Sequence, residues 1–139
     1  MAKKNAVSAK AARLLRKAVA HILEEPRRYD QNEVLTFQEP GTPFGYSYLG
    51  KTYKTPPCGT IGCLAAWVTA LSWPKAKGVN AILYATRKLG LTSEQRWSLF
   101  GSVSNWPDKF AKAYRAAKTP RAVAKVAQKR VEYFIKTGE

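Results

Sequence analysis

Cys58 and Cys63 are the only cysteines of the chain, and they are the residues best suited to covalent or metal chemistry. They stand at the start of the longest nearly uncharged run of the sequence, which extends to Trp73. A thiolate is both nucleophile and metal ligand, and the N-terminus of a helix lowers the pKa of a thiol. A helix beginning near Thr60 would have Cys63 in its first turn. The pair could therefore form a redox couple, hold a metal ion or supply a nucleophile.

The number and spacing of these ligands favour a structural role instead. A tetrahedral zinc site needs four ligands, and the single histidine, His21, lies far away on another predicted helix. Four residues separate the two cysteines, whereas the thioredoxin-type motif has two between them. Because an unreactive cysteine behaves as a small buried hydrophobe, we expect both thiols in the core. The sequence assigns no catalytic residue, no metal ligand and no cofactor.

The histidine and an acidic cluster offer weaker alternatives. His21 has no nearby partner set for catalysis in the sequence, so we expect it to pack or to cap. Paired carboxylates could serve a glycosidase or a metal-dependent nuclease. Glu24 and Glu25 more simply form ion pairs with the adjacent Arg27 and Arg28. Phosphate-loop, dinucleotide-binding and nucleophile-elbow motifs are absent from the sequence, which argues against the familiar enzyme classes. The acidic cluster comprises Glu24, Glu25, Asp30 and Glu33.

The net charge of +15 is the dominant global property of these 139 residues. It is concentrated at the two ends, because residues 1–28 and residues 108–139 each carry a net +6. Such an excess destabilises the compact state by self-repulsion unless a polyanion neutralises it. Nucleic acid is the commonest such partner, followed by an anionic membrane or an acidic protein. A lysine-rich surface that serves only solubility is the alternative.

The first element expected to position these charges is an amphipathic helix over about residues 5–25, with its start near Asn5 or Ser8. Apolar residues recur on one face and basic residues on the other, and Pro26 ends the pattern. Residues 26–57 form an insert rich in proline, glycine and aromatic residues. Its period-two fragments predict a small β-hairpin over about residues 35–55 that turns at Gly50, or else a long ordered loop.

A helical core is predicted over about residues 60–136. The apolar run ending at Trp73 predicts a buried central helix, since it is about five residues too short to span a bilayer. Helices over residues 78–88 and 93–100 follow, the second of them capped by Thr92 or Ser93. Another starts at Trp106-Pro107-Asp108, and the last is capped by Thr119-Pro120. The fold class is therefore mainly α, a compact single domain over residues 1–139 with five or six helices and a small irregular or β-hairpin insert. The expected inner residues include Ile82, Leu83, Leu89, Phe110, Ala113, Tyr114, Val126, Ala127, Val131 and Phe134.

Basic residues on the outer faces of the terminal helices are the candidate phosphate ligands. Phosphate contacts release counterions, so binding through them would be sequence-tolerant and strongly dependent on salt. The candidate residues are Lys10, Arg13, Arg16, Lys17, Lys112, Arg115, Arg121, Lys125 and Lys129.

Tyrosines of the insert form a second candidate site. Tyr46 and Tyr48 alternate, and Tyr53 lies between Lys51 and Lys54. Aromatic residues beside basic ones can stack the bases of a single strand. The alternative is that these rings cover the core with their hydroxyl groups in water. The four tryptophans are mostly expected in the core, because large rings close a small domain. They are Trp67, Trp73, Trp97 and Trp106.

The run from Cys58 to Trp67, Cys-Gly-Thr-Ile-Gly-Cys-Leu-Ala-Ala-Trp, resembles a signature of small uncharacterised bacterial and phage proteins. Their pattern is Cys-Gly-Thr, two variable residues, Cys, two variable residues, Gly and Trp. Ala66 stands where that pattern has glycine, which implies a slightly looser helix contact. The resemblance covers roughly residues 20–136. It implies a bacterial or phage context and carries over no activity.

The sequence thus predicts a small cytoplasmic protein that associates with DNA or RNA without catalysis. The alternative is an interaction module or phage-borne modulator that docks on an acidic host protein, with the aromatic insert as its anchor. A thiol-dependent enzyme comes third. No signal peptide or membrane-spanning segment is visible, so we expect no membrane insertion and a reducing compartment.

Overall fold

The computed structural model of the protein describes residues 7–31, 35–36, 61–73 and 81–139. This part of the chain is mainly helical, which confirms the predicted fold class. Six α-helices and two short 3-10 helices, Pro26–Arg28 and Val103–Asn105, lie within it. The α-helices are α1 Ala9–Glu24, α2 Leu64–Ser72, α3 Ala81–Leu89, α4 Ser93–Phe100, α5 Asp108–Ala116 and α6 Pro120–Thr137.

Helix α1 has the predicted amphipathic character, and it begins at the later of the two predicted starts and ends before Pro26. The hydroxyl group of Ser8 caps its start by accepting a hydrogen bond from the backbone N–H of Ala11 at 3.1 Å. Pro26 begins the following 3-10 helix. The apolar face contacts both α2 and α6, which leaves the basic face to solvent. Its fully covered members are Ala11, Leu15, Ala18 and Ile22.

Helix α2 is the buried central helix, but it begins later than predicted. Every residue from Leu64 to Ala70 is buried, and the Trp67 side chain is completely covered. The expected start near Thr60 is wrong, because Cys63 is the N-cap and Ile61–Gly62 are extended. Loss of a large ring from such a core costs about 3–5 kcal/mol. Trp67→Ala would therefore remove a large part of the stability of a small domain.

A two-residue antiparallel pairing precedes α2. Strand β1, Leu35–Thr36, pairs with strand β2, Ile61–Gly62, in the register Leu35 with Gly62 and Thr36 with Ile61. The backbone N–H and C=O groups of these residues are thus satisfied outside a helix. Apart from β1, the predicted hairpin over residues 35–55 lies outside the described residues, and the single-domain boundary stays a prediction.

Helices α3 and α4 are joined by a tight turn. Gly90 has φ +68°, a left-handed conformation that glycine adopts without strain. Thr92 and Gln95 then form a capping box, since each side chain accepts the backbone N–H of the other. The predicted inner face of α3 is partly wrong. Leu83 is exposed, because α3 turns Ala81, Ala85 and Leu89 toward the core instead.

Helices α5 and α6 complete the helical core. Thr119 caps α6 by accepting the backbone N–H of Ala122 at 3.1 Å, and Gly138 ends it with φ 74°. Helix α6 contacts α1 and α5, so it lies next to both. On α5, Phe110 is buried as predicted, whereas Ala113 is exposed.

The four tryptophans divide into two pairs. Trp67 and Trp106 are buried, as expected of core residues. The same expectation is wrong for Trp73 and Trp97, whose exposed fractions are 42% and 54%. Both lie where a helix turns away from the core, Trp73 as the C-cap of α2 and Trp97 on the outer side of α4. Apolar flanking residues therefore did not indicate burial.

Candidate functional site

All nine predicted phosphate ligands are exposed in the structure. Four lie on α1, two on α5 and three on α6. Because α6 contacts both α1 and α5, the three helices that carry these cations are neighbours although they come from the two ends of the described chain. The structure therefore brings the two basic ends together. The nine residues, called the cationic set below, are Lys10, Arg13, Arg16, Lys17, Lys112, Arg115, Arg121, Lys125 and Lys129.

Arg16 is the member of the cationic set that forms an ion pair with a described acidic residue. Its Nε and Nη2 atoms donate to the two carboxylate oxygens of Glu132 on α6, at 3.0 and 2.9 Å. This two-bonded geometry joins the outer faces of α1 and α6. The pair lowers the pKa of Glu132 and raises that of Arg16, mainly through the side-chain hydrogen bonds. Both side chains are about half exposed, so the pair adds little stability.

A further cation, Lys109, lies beside the seam between α5 and α6. Its Nζ is 4.3 Å from the centroid of the Tyr133 ring and 5.1 Å from that of Phe110. Cations over aromatic faces are held electrostatically and keep their remaining donors directed at solvent. The Lys109 side chain is exposed.

Cys63, one of the two predicted thiols, has a structural role. Cys63 is buried at the N-cap of α2, and burial raises the pKa of its thiol to about 11 against the opposing effect of the Ala66 and Ala65 backbone N–H groups. A thiol is nucleophilic as the thiolate, so this cysteine is poorly suited to attack at neutral pH. Cys58 lies outside the described residues, as do the stacking candidates Tyr46, Tyr48 and Tyr53.

His21 and three members of the predicted acidic cluster lie in the described structure, and the fourth, Glu33, lies outside the described residues. The His21 ring is buried and lies 4.9 Å from that of Trp67, which is the predicted packing role. Glu24 and Glu25 are exposed at the end of α1. Asp30 accepts a hydrogen bond from the Tyr114 hydroxyl group at 3.3 Å. Among the described residues, no three histidine, cysteine, aspartate or glutamate side chains lie close enough to hold a metal ion.

Arg130 is a buried cation that the sequence prediction missed. Its Nη2 donates to the backbone oxygen and the hydroxyl group of Ser98 at 3.0 and 2.9 Å, while Nε and Nη1 have no hydrogen-bond partner among the described residues. Burial lowers the pKa of Arg130 to about 10, which leaves it charged at neutral pH. Four aromatic rings surround its guanidinium carbon with centroids 5.8–6.0 Å away. These rings, the aromatic cage below, are Trp106, Phe110, Tyr133 and Phe134.

A helical wheel could have found Arg130. Position 130 follows Ala127 by three residues and precedes Phe134 by four, so it lies on the apolar stripe of α6. A charged residue on a core stripe indicates either a buried partner or a cage of rings.

Gln31 is a second residue that the sequence prediction missed. Its side-chain oxygen accepts from the Tyr29 hydroxyl group at 3.0 Å and from the Leu64 backbone N–H at 3.3 Å. Its side-chain nitrogen donates to the backbone oxygens of Leu99 and Gly101 at 3.2 and 2.9 Å. One amide thus connects the start of α2 to the end of α4. No local pattern signals this role, because the backbone groups that the amide connects, on Leu64, Leu99 and Gly101, are 33 to 70 residues away along the chain.

Comparison with known proteins yields no family model, curated protein or solved structure that matches this chain. The resemblance of the cysteine–tryptophan box to small bacterial and phage proteins stays a prediction. No helix in the described part of the chain is both long and apolar enough to cross a membrane.

Proposed function

We propose that this protein binds nucleic acid through its phosphates, with little dependence on base sequence and without catalysis. One observation carries the proposal: every member of the cationic set is exposed, and the set lies on three neighbouring helices. Lysine and arginine side chains on helix faces neutralise phosphates and release counterions, which drives association. A bacterial or phage source and a cytoplasmic location belong to the same proposal, and both rest on the sequence.

Net charge supports the same proposal. A chain of +15 repels itself, and a polyanion relieves that repulsion. Within α1, α5 and α6 the acidic residues are few, and Glu132 is already engaged by Arg16. Within the described part of the chain, Arg13, Lys17 and Lys125 on α1 and α6 form no ion pair with an acidic side chain.

Fluorescence anisotropy with a generic duplex and a generic single strand, each at two salt concentrations, tests this proposal. We expect binding at low salt that weakens steeply as salt rises. Absence of binding to either probe at low salt would overturn the proposal. A location test compares R13Q/K17Q on α1 with R87Q/K88Q on α3. Both doubles lose the same charge from exposed positions, so a larger loss of affinity in the α1 double is expected.

Equal losses in the two doubles would mean that net charge alone attracts the nucleic acid and that the cationic set is no site. Thermal unfolding of each variant is the control, because exposed substitutions of this kind leave the fold intact.

The second candidate is an interaction module for an acidic protein, which the exposed tryptophans favour. Trp97 carries the Arg96 guanidinium group 5.1 Å from its ring centroid, and Trp73 lies 5.2 Å from the ring of Tyr84. Tryptophan, tyrosine and arginine are the residue types that dominate protein-binding hot spots. Pull-down from nuclease-treated lysate with the wild type and with Trp97→Ala distinguishes the two candidates. A partner retained without nucleic acid and lost in the variant would favour this one.

A further inference from the structure

A groove lies between the C-terminal end of α5 and the N-terminal end of α6. It consists of two cavities of about 430 and 510 Å³. Tyr114, Ala117 and Val123 line both cavities, so the two adjoin each other. Each volume falls in the range of about 300–1,000 Å³ that is usual for ligand sites.

The rim of this groove is basic. Arg27 and Lys118 line the smaller cavity, and Arg115 lines the larger one. All three side chains are exposed. Asp30 is the one carboxylate among the described lining residues, and its Oδ1 accepts a hydrogen bond from Tyr114. The groove therefore carries more positive than negative charge along its length.

The wall shared by the two cavities is aromatic and firmly held. The hydroxyl oxygen of Tyr114 accepts the Gln31 backbone N–H at 3.1 Å and donates to Asp30. The ring of Tyr114 packs edge-to-face with Trp106, at 5.6 Å between centroids, and with Tyr29, at 6.2 Å. A side chain fixed at both its ring and its hydroxyl group loses little entropy when a ligand arrives. Val123 and Pro120 add apolar surface beside it.

We infer that this groove binds a single-stranded segment of nucleic acid, with bases against Tyr114 and Val123 and phosphates at Arg27, Arg115 and Lys118. The inference rests on the proposed function and names the strand form that this site takes. A basic groove with an aromatic wall is the usual arrangement of single-strand sites, because every base has an apolar face and every linkage a phosphate. A paired base stays stacked inside its duplex and cannot enter a concave site.

A groove-filling substitution tests the inference without changing charge. Ala117→Phe would put a ring into the space that both cavities share, whereas Ala116→Phe, at the exposed neighbouring position that lines neither cavity, is the matched control. We expect Ala117→Phe to weaken single-strand binding at least about tenfold and to leave duplex binding unchanged. Ala116→Phe should change neither. Equal single-strand affinity of the two variants would overturn the inference.

This outcome is distinguishable from failure of the proposed function. If the wild type binds neither probe at low salt, the proposed function fails. If the wild type binds both probes and Ala117→Phe binds them equally well, only the groove fails.

A second measurement uses the wild-type chain, so it does not depend on the folding of Ala117→Phe. A single strand carrying 5-iodouracil is irradiated with the protein, and the crosslinked peptide is identified by mass spectrometry. A crosslink to the peptide that contains Tyr114 supports the inference, and crosslinks confined to other parts of the chain overturn it. Competition with poly-glutamate is the remaining arm. If poly-glutamate at equal charge abolishes the crosslink to the Tyr114 peptide while crosslinks to the other helices remain, the groove accepts acidic peptides and the inference is wrong.

Discussion

Arg16 and Arg130 show how differently one side chain behaves at the surface and in the core of this protein. Arg16 on α1 is exposed and binds a carboxylate of Glu132 on α6. Arg130 lies two residues before Glu132 on the same helix, yet it is fully buried and contacts Ser98 and the aromatic cage. Arg16, which has a carboxylate partner, is thus expected to contribute less to the stability of the fold than Arg130, which has none among the described residues.

The difference follows from solvation. Water already stabilises an exposed ion, so a surface pair gains little from its partner. A buried ion has lost that water and depends on what replaces it, here two hydrogen bonds and four ring faces. We therefore expect substitutions in the cage to change stability, and substitutions in the cationic set to change binding.

The largest effect is expected from Arg130→Ala compared with Arg130→Met. Alanine leaves a cavity beneath the aromatic cage, and the free energy of unfolding should fall by about 2–5 kcal/mol. Methionine fills most of that volume without a charge, and buried charges are often replaced by apolar residues at little cost. Urea unfolding measures both. If Arg130→Met loses as much as Arg130→Ala, the positive charge is itself required and the ring contacts outweigh desolvation.

The next effect concerns Cys63, which is buried like Arg130 and is also titratable. Because its folded-state pKa is about 11 against an ordinary 9.0, the protonated thiol favours the folded state below pH 9. That contribution is lost as pH rises from 9 through 11. In this window the unfolding free energy of the wild type should fall more steeply than that of Cys63→Ala, by up to about 1.4 kcal/mol per pH unit. Parallel curves for the two proteins would show that the thiol does not titrate differently on folding.

Neutralising two exposed lysines should affect binding and not folding. In the variant K125Q/K129Q, both changes lie on the outer face of α6. We expect the slope of log K against log salt for a duplex to become shallower by about 2, since each lost phosphate contact releases one fewer counterion. The thermal midpoint should not move. A lower thermal midpoint with an unchanged salt slope would mean that these exposed cations stabilise the fold and do not bind phosphates, contrary to the contrast drawn from Arg16 and Arg130.

The smallest effect is expected from Glu132→Gln. The substitution removes the acidic partner of Arg16 and makes that guanidinium group available to a phosphate. Stability should be unchanged at high salt, because exposed pairs are screened. Affinity for nucleic acid should rise slightly at low salt, which anisotropy can measure beside the Lys125 and Lys129 variant. A decrease in affinity would mean that the pair itself orders the binding surface.

Local pattern predicted the helices well where the signals are local. Ser8, Thr92 and Thr119 cap helices at the expected places, and Trp67 lies in the central buried helix. The errors occur where contacts with residues distant in sequence determine the structure of a segment. The start of α2 is later than predicted because β2 pairs with β1, and a pairing partner at residues 35–36 is invisible from residues 61–62 alone.

The candidate site divides in the same way. Exposure of the cationic set follows from helical periodicity, so the sequence predicted it residue by residue. The groove at Tyr114 could not be predicted, because its walls come from residues 26–30 and from the junction of α5 and α6. Arg130 lies on the predicted stripe, but its burial depends on rings contributed by Trp106 and Phe110.

The sequence by itself determined the helical class, the buried central helix, the strong positive charge and the outward direction of the basic faces. Each of these depends on composition or on a period of 3.6 residues, which the chain carries locally. Tertiary structure alone decided that α1 meets α6, that Glu132 engages Arg16 and that Arg130 is enclosed by rings. Those outcomes depend on contacts between segments far apart in the chain, and such contacts exist only after the helices have packed.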